Sequence, residues 1–417
     1  MKKVELLAPA GDLERLKVAV MYGADAVYLG GQIFGLRAAA KNFSFEDLAE
    51  GVQFAHERGV KVYVTANIIP HNEDFAGFPE YLKEIYKIGV DAVIVSDPGT
   101  FTVVRETVPE MEIHISTQAN NTSYMTVNFW GKLGASRVVL ARELNFKEIK
   151  EIRDNIPEEL ELEAFVHGAM CMSYSGRCLL SNYMANRDAN RGECAQPCRW
   201  KYNLVEEKRP GEYIQVIEDE KGTYFMNSKD LCMVEYIPEI IESGITSLKI
   251  EGRMKTTYYV AMVVKAYRQA IDRYYEDPEN WEFDPKWMKE LKKASHRDFT
   301  TGFYLNKPGH TDHHYDNTSY VRDYSFIGIV KNYDPATKIA TVEQRNRFFL
   351  GDEIEITGPK EEVAMTVTEM WDEDMNPIDV APHPQQILKI KMDFPVEENY
   401  ILRKELETEG KAGEHDL

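Results

Sequence analysis

One joint recurs five times in the first two-thirds of this 417-residue chain: an amphipathic helix ends at a glycine, and a short β-branched run follows at once. It stands in "YGADAVYLGG" at Gly23, "RGVKVYVTAN" at Gly59, "IGVDAVIVSD" at Gly89, "LGASRVVLAR" at Gly134 and "SGITSLKIEG" at Gly244. Glycine suits the left-handed position that closes a helix because it has no Cβ to clash there. The runs that follow are nearly continuous in Val, Ile, Leu and Ala, as parallel strands covered on both faces require. "VELLAPAG" at Val4, "IHISTQA" at Ile113 and "LEAFVHG" at Leu162 bring the candidate strands to eight. "DLERLKVAVMY" from Asp12 and "FEDLAEGVQFAHER" from Phe45 supply helices between them, with Asp12 and Ser44 where N-caps belong. Eight strands alternating with helices over about 250 residues predict an α/β fold, a TIM-like (βα)8 barrel. An open doubly wound sheet is the alternative, but no Gly-x-Gly-x-x-Gly follows the first strand.

A barrel would carry its functional residues at the C-terminal ends of the strands. Asn67 and His71 follow the third strand, Asp97 the fourth, Ser116 and Gln118 the fifth, and Arg142 and Glu143 the sixth. His167 ends the seventh, and Glu251 and Arg253 follow the eighth. Each alone is more often a satisfied structural group; their shared position is the signal.

The segment after the seventh strand, 168–232, is far longer than an ordinary βα loop, and long insertions in compact domains usually carry function. It holds Cys171, Cys178, Cys194 and Cys198, spaced by six, fifteen and three residues. No secretory leader and no apolar run of membrane-spanning length is evident, so a soluble, cytoplasmic protein with no membrane partner is expected. In a reducing compartment, clustered cysteines are more often metal or redox ligands than disulfides. Four thiolates could hold an iron-sulfur cluster or a tetrahedral zinc, or remain unliganded; spacing alone leaves these open. Cys232 stands apart in "SKDLCMV", where it is expected to open an apolar helix as a small buried hydrophobe.

The formal net charge of −20 argues against a uniformly basic nucleic-acid surface but permits a local patch. Arg177, Arg187, Arg191, Arg199 and Lys201 surround the cysteines, with Tyr183, Trp200 and Tyr202 interleaved. Such a mixture suits looped or single-stranded nucleic acid, where cations meet phosphates and rings stack on bases. The competing reading is a solvated loop whose arginines pair with the abundant acids.

From Met254 a long amphipathic helix, "YYVAMVVKAYRQAIDRYYE", is expected to close a first domain over 1–275. A helical linker over 276–322 contains "KELKKASHRDF". Period-two alternation over 323–405 predicts a small β-barrel domain, and the polar tail 406–417 is expected to be frayed.

"ELEAFVHGAMCMSYSGRCLLS" (161–181) resembles the signature of the U-32 peptidase family, the collagenase-like peptidases. "LLAPAGDLERL", "RGECAQPCRWKY", "SLKIEGRMKTTYYV" and "HRDFTTGFY" resemble that family's blocks, in its order and over nearly the whole chain. The branch most similar to this chain is associated with prephenate-dependent hydroxylation of the wobble uridine of tRNA to 5-hydroxyuridine. The resemblance implies that Cys171, Cys178, Cys194 and Cys198 ligate a four-iron four-sulfur (4Fe-4S) cluster. It also implies tRNA as substrate, prephenate as co-substrate, and room for a paralogous or accessory subunit. On this view His167, Glu251 and Gln118 are catalytic candidates, and Arg187, Arg191, Arg199 and Trp200 would contact RNA. Prephenate is a dicarboxylate and needs cations; Arg253 and Lys255, at the start of a helix, and Arg142 are the candidates, with Asn67 as a further substrate-binding group. Peptidase activity is the alternative, yet the chain has neither His-Glu-x-x-His nor Gly-x-Ser-x-Gly.

Overall fold

The computed structural model describes residues 3–31, 43–171, 173–175, 177–187, 189, 194–199, 204–205, 213–214, 229–305 and 323–406. The chain divides into two compact units, Met1–Trp287 with Arg297–Ser319, and Met288–His296 with Tyr320–Leu417.

The first unit is a closed parallel barrel. Its strands are β1 (Glu5–Pro9), β2 (Ala26–Gly30), β3 (Lys61–Ala66), β4 (Ala92–Val95), β5 (Glu112–Ile115), β6 (Arg137–Val139), β7 (Glu161–Ala169) and β8 (Ser247–Ile250). Each pairs in parallel with the next, and β8 pairs with both β7 and β1, which closes the ring. No open-sheet edge is left, so the doubly wound alternative is excluded. Helices α1 (Leu13–Met21), α2 (Phe45–His56), α3 (Phe78–Ile88), α4 (Pro98–Thr107), α5 (Tyr124–Lys132) and α6 (Phe146–Asp154) run between the strands. As expected, Asp12 accepts the Arg15 N–H and Ser44 the Asp47 N–H at the starts of α1 and α2.

All five joint glycines adopt positive φ: 109° at Gly23, 71° at Gly59, 102° at Gly89, 99° at Gly134 and 89° at Gly244. Their surroundings differ. A Cβ on Gly59 would meet nothing within 4 Å, whereas one on Gly244 would lie 2.4 Å from Arg153 Cγ. Gly59→Ala is therefore expected to cost about 1 kcal/mol from backbone strain alone, and Gly244→Ala about 2–3 kcal/mol. Equal losses in urea unfolding would show that the Arg153 contact is relieved without cost.

Strand β7 is nine residues long and overshoots the barrel wall. Its exposed edge needs hydrogen-bond partners, and the chain supplies them on its return: strand Asp230–Cys232 runs antiparallel to it, pairing Asp230 with Ala169 and Cys232 with His167. Strand Phe299–Thr300 adds to the far side. Cys232 is thus in a strand, not at the start of a helix; the next α-helix, α8 (Ile237–Glu242), begins five residues later. Its buried character, at 5% exposure, is as expected. Between these points lies the short helix α7 (Leu180–Ala185). Helix α9 (Thr257–Glu276), capped by Thr256 and buried along most of its length, then packs on α1 and β1.

Helix α10 (Pro285–Lys293) covers the first part of the basic segment, and its last residues belong to the second unit. That unit is an antiparallel half-barrel. Seven strands form one sheet, with Glu362–Thr366 at one end and Met370–Trp371 at the other, and no described pairing joins the ends. Alternation places Ile327, Val330, Val342, Ile354, Leu388 and Ile390 on the buried face. Arg403, 0% exposed, lies among Glu290, Glu355 and Glu362. Among the described residues no helix is long and apolar enough to cross a membrane.

Candidate active site

The barrel interior is polar to a degree the sequence pattern did not disclose. Arg137, 3% exposed, reaches Glu5 at 2.5 Å, Glu161 at 2.6 Å and Glu163 at 3.2 Å. Lys249 Nζ donates to Glu163 Oε1 at 2.6 Å and lies 4.4 Å from the centre of the Tyr28 ring. Tyr63 and Ser247 donate to Glu5 at 2.7 and 2.8 Å. Burial works against ionised Glu163, but Lys249 and Arg137 hold its pKa below the usual carboxylate range. Burial also opposes ionised Glu5, and Arg137 pulls it down. Burial holds the pKa of the Lys249 ammonium below its usual value, and Glu163 offsets only part of that. Glu5, Arg137, Glu161, Glu163 and Lys249 each put a charge into an apolar strand, which marks them singly in the sequence but does not show that they form one cluster.

Above this network the strand ends form the mouth. Asn67 follows β3 and Gln118 lies in the 3-10 turn Thr117–Ala119 after β5. Both meet Ser116, whose Oγ accepts from Asn67 Nδ2 at 3.0 Å and from the Gln118 N–H at 3.3 Å. Arg253, 7% exposed, donates to Thr65 Oγ1 at 2.9 Å, which brings the end of β8 against β3. His167 and Glu251 are neighbours, the Glu251 N–H donating to His167 O at 2.8 Å. The two chains cross closely at that point: Gly168 has φ +109°, and a Cβ there would sit 2.7 Å from Glu251 O. The His167 ring is buried among Tyr259, Tyr267 and Phe299, with Nδ1 3.4 Å from Tyr267 Oη. Lys255 Nζ lies 5.0 Å from the centre of the Tyr259 ring. Burial raises the pKa of Glu143, beside Arg142. Asp97 and His71 have local roles: Asp97 caps α4, and His71 leads a 3-10 turn through Asp74.

The cysteine loop is tied to this rim. Arg142 Nη1 donates to Ala169 O at 2.7 Å and Nη2 to Ser175 Oγ at 3.1 Å, while its guanidinium lies 4.5 Å from the Phe165 ring centre. Arg177 Nε donates to Asn120 Oδ1 at 2.7 Å. Farther along, the buried Ser181 accepts the Ala195 N–H on its Oγ at 2.9 Å, so α7, just after Cys178, holds the segment that begins at Cys194. Cys171 and Cys194 are exposed, Cys178 and Cys198 half-buried, and none is in a disulfide. Four reduced thiols on one loop at a barrel mouth are a donor set suited to soft, thiolate-bound iron. The thiols are not gathered: among the described residues no three His, Cys, Asp or Glu side chains stand close enough to hold a metal ion. Arg187 is exposed. Arg191 and Trp200 lie outside the described residues, as does the side chain of Arg199.

The profile of peptidase family U32 matches residues 11–314, and that of the peptidase family U32 C-terminal domain matches residues 322–403. The chain is 46% identical to tRNA hydroxylation protein P1 of Bacillus subtilis (strain 168), over 97% of its own length and 95% of that protein. It is 38% identical to tRNA hydroxylation protein P of Escherichia coli (strain K12), over 96% of each chain. It is also 33% identical to a collagenase of Porphyromonas gingivalis (strain ATCC BAA-308 / W83), over 92% of this chain and 93% of that one. Two profiles in sequence order and full-length identity at this level have one meaning: the chain belongs to peptidase family U32.

Proposed function

We propose that this protein is a tRNA-modifying enzyme that hydroxylates the wobble uridine to 5-hydroxyuridine, with prephenate as co-substrate. In this proposal Cys171, Cys178, Cys194 and Cys198 hold a four-iron four-sulfur cluster, which supplies the electron chemistry that side chains lack. The names of the Bacillus and Escherichia relatives support action on tRNA. The observation that carries the proposal is the anchoring of the thiol-bearing loop by Arg142 to the rim that also presents Asn67, Gln118 and Arg253. Arg253 and Lys255 are the groups that receive the two carboxylates of prephenate, with Arg142 as the further cation of the rim. Glu251 is the proton-transfer group at the edge of the mouth in this proposal, and His167 positions it through their backbone contact. In the same proposal Arg187, Arg191, Arg199 and Trp200, which stand near the cysteines in sequence, contact the RNA.

The test is nucleoside analysis of tRNA from a host that lacks its own relative of this protein. The wild-type chain is expected to restore 5-hydroxyuridine; Arg253→Ala is expected to restore less than about a tenth of it, because a buried guanidinium that receives a carboxylate has no substitute. Absence of 5-hydroxyuridine with the wild-type chain, together with cleavage of denatured collagen that survives Cys171→Ala, would return the peptidase alternative.

A further inference from the structure

Buried amide oxygens stand at the mouth. Asn67 Oδ1, Gln118 Oε1 and Asn121 Oδ1 have no hydrogen-bond partner among the described residues, and the three side chains are 8%, 8% and 0% exposed. A buried carbonyl without a donor is costly, and native structures complete such a group with an ordered water, an ion or a ligand. Asn121 belongs to the wall, its Nδ2 donating to Val139 O at 3.2 Å. Asn67 and Gln118 differ in meeting at one hydroxyl, Ser116 Oγ, which accepts the Asn67 side-chain amide and the Gln118 backbone N–H at the open end of β3 and β5.

A complementary donor stands on the neighbouring loop. Arg142 Nε is buried and has no partner among the described residues. Arg142 is linked to the turn after β5 through Ser175, which accepts Arg142 Nη2 on Oγ and Asn120 Nδ2 on its carbonyl, at 3.1 and 3.4 Å. Asn120 closes the 3-10 turn that carries Gln118. The rim therefore carries unpaired acceptors on the loops after β3 and β5 and an unpaired donor on the loop after β6, the last two tied through Ser175 and Asn120.

That combination matches one pyrimidine edge and opposes the other. Uracil offers N3–H flanked by carbonyl oxygens, so an amide oxygen can take the N–H and a guanidinium N–H can take a carbonyl. Cytosine has a bare N3 at the same place, which would face an amide oxygen lone pair to lone pair, and an amino group where the guanidinium also donates. We propose that Gln118 and Asn67, with Arg142 Nε, form a base-selective subsite that accepts N3–H of the target uridine and rejects cytidine. This rests on the RNA substrate proposed above and adds which atoms choose the base.

The test uses the full chain and three anticodon stem-loop RNAs, identical except for uridine, 3-methyluridine or cytidine at the wobble position, titrated at one fixed salt concentration. Wild-type protein is expected to bind the uridine RNA at least about tenfold more tightly than either of the others, the discrimination of one good base-edge contact. Gln118→Leu is expected to bind all three alike, at the level of the wild-type protein with cytidine. Gln118→Glu, which keeps an acceptor in nearly the same shape, is expected to retain the uridine preference and so separates recognition from damage to the fold. Equal binding of the three RNAs by wild-type protein overturns the assignment, as does full discrimination surviving in both Gln118→Leu and Asn67→Leu. Failure to bind any of the RNAs would instead overturn tRNA as the substrate, and the subsite with it.

Discussion

Arg137→Met is expected to destabilise the barrel unit by about 3–5 kcal/mol near neutral pH, the usual consequence of removing one partner from a buried ionic cluster. Three carboxylates converge on this guanidinium, and Glu163 is 0% exposed. Lys249 remains for Glu163, but Glu5 then keeps only hydroxyl donors, from Tyr63 and Ser247. The loss has a pH signature. In the wild-type protein Glu5 and Glu163 have folded pKa values below their unfolded ones. Their contribution is present above the unfolded carboxylate range and is lost as pH falls through the folded values. Without Arg137, burial dominates at Glu5 and lifts its folded pKa above the unfolded one, which reverses the sign. Stability in the variant is then fully present at low pH and lost as pH rises, so the gap to wild type narrows from pH 7.5 to pH 5. Urea unfolding at the two values measures it, and a deficit that stays constant with pH would mean the carboxylates are not what Arg137 serves.

The difference between what could be read in advance and what could not follows the range of the interactions. The five glycine joints and the Asp12 and Ser44 caps were legible because each is decided within a few residues by backbone sterics and local hydrogen bonds. Barrel closure followed from strand count and spacing. The Arg137 network was not legible, since Glu5 and Arg137 are 132 positions apart and only the closed ring makes them neighbours. The same holds for Cys232, whose strand exists because the overshooting end of β7 needs an antiparallel partner. In the second unit alternation identified the strands, but whether their sheet closes depends on its end strands, and these are left unpaired among the described residues. At the mouth, position after a strand correctly marked Asn67 and Gln118 as neighbours in space, though not the shared Ser116 hydroxyl. Asp97 met the same positional criterion and is a helix cap. Position therefore selects the rim, and only the unsatisfied atoms select within it.

The five cysteines give the second large effect, because they should separate into two classes. Cys171→Ala, Cys178→Ala, Cys194→Ala and Cys198→Ala are each expected to deprive anaerobically purified protein of its iron, its acid-labile sulfide and a broad absorption near about 400 nm. Cys232→Ala should leave all three intact. Its side chain is buried, with Sγ 4.0 Å from Tyr267 Oη, and it stands on the return strand paired with β7 rather than on the exposed loop. Its loss removes a small apolar group and is expected to cost about 1 kcal/mol, visible only as a shift in unfolding midpoint. The contrast protects the interpretation, since iron lost equally from all five variants would signal unfolding rather than ligation. A colourless wild-type protein with one bound zinc would be a different result: four thiolates around zinc leave no open coordination position and no electrons to give, and the hydroxylase proposal would fall.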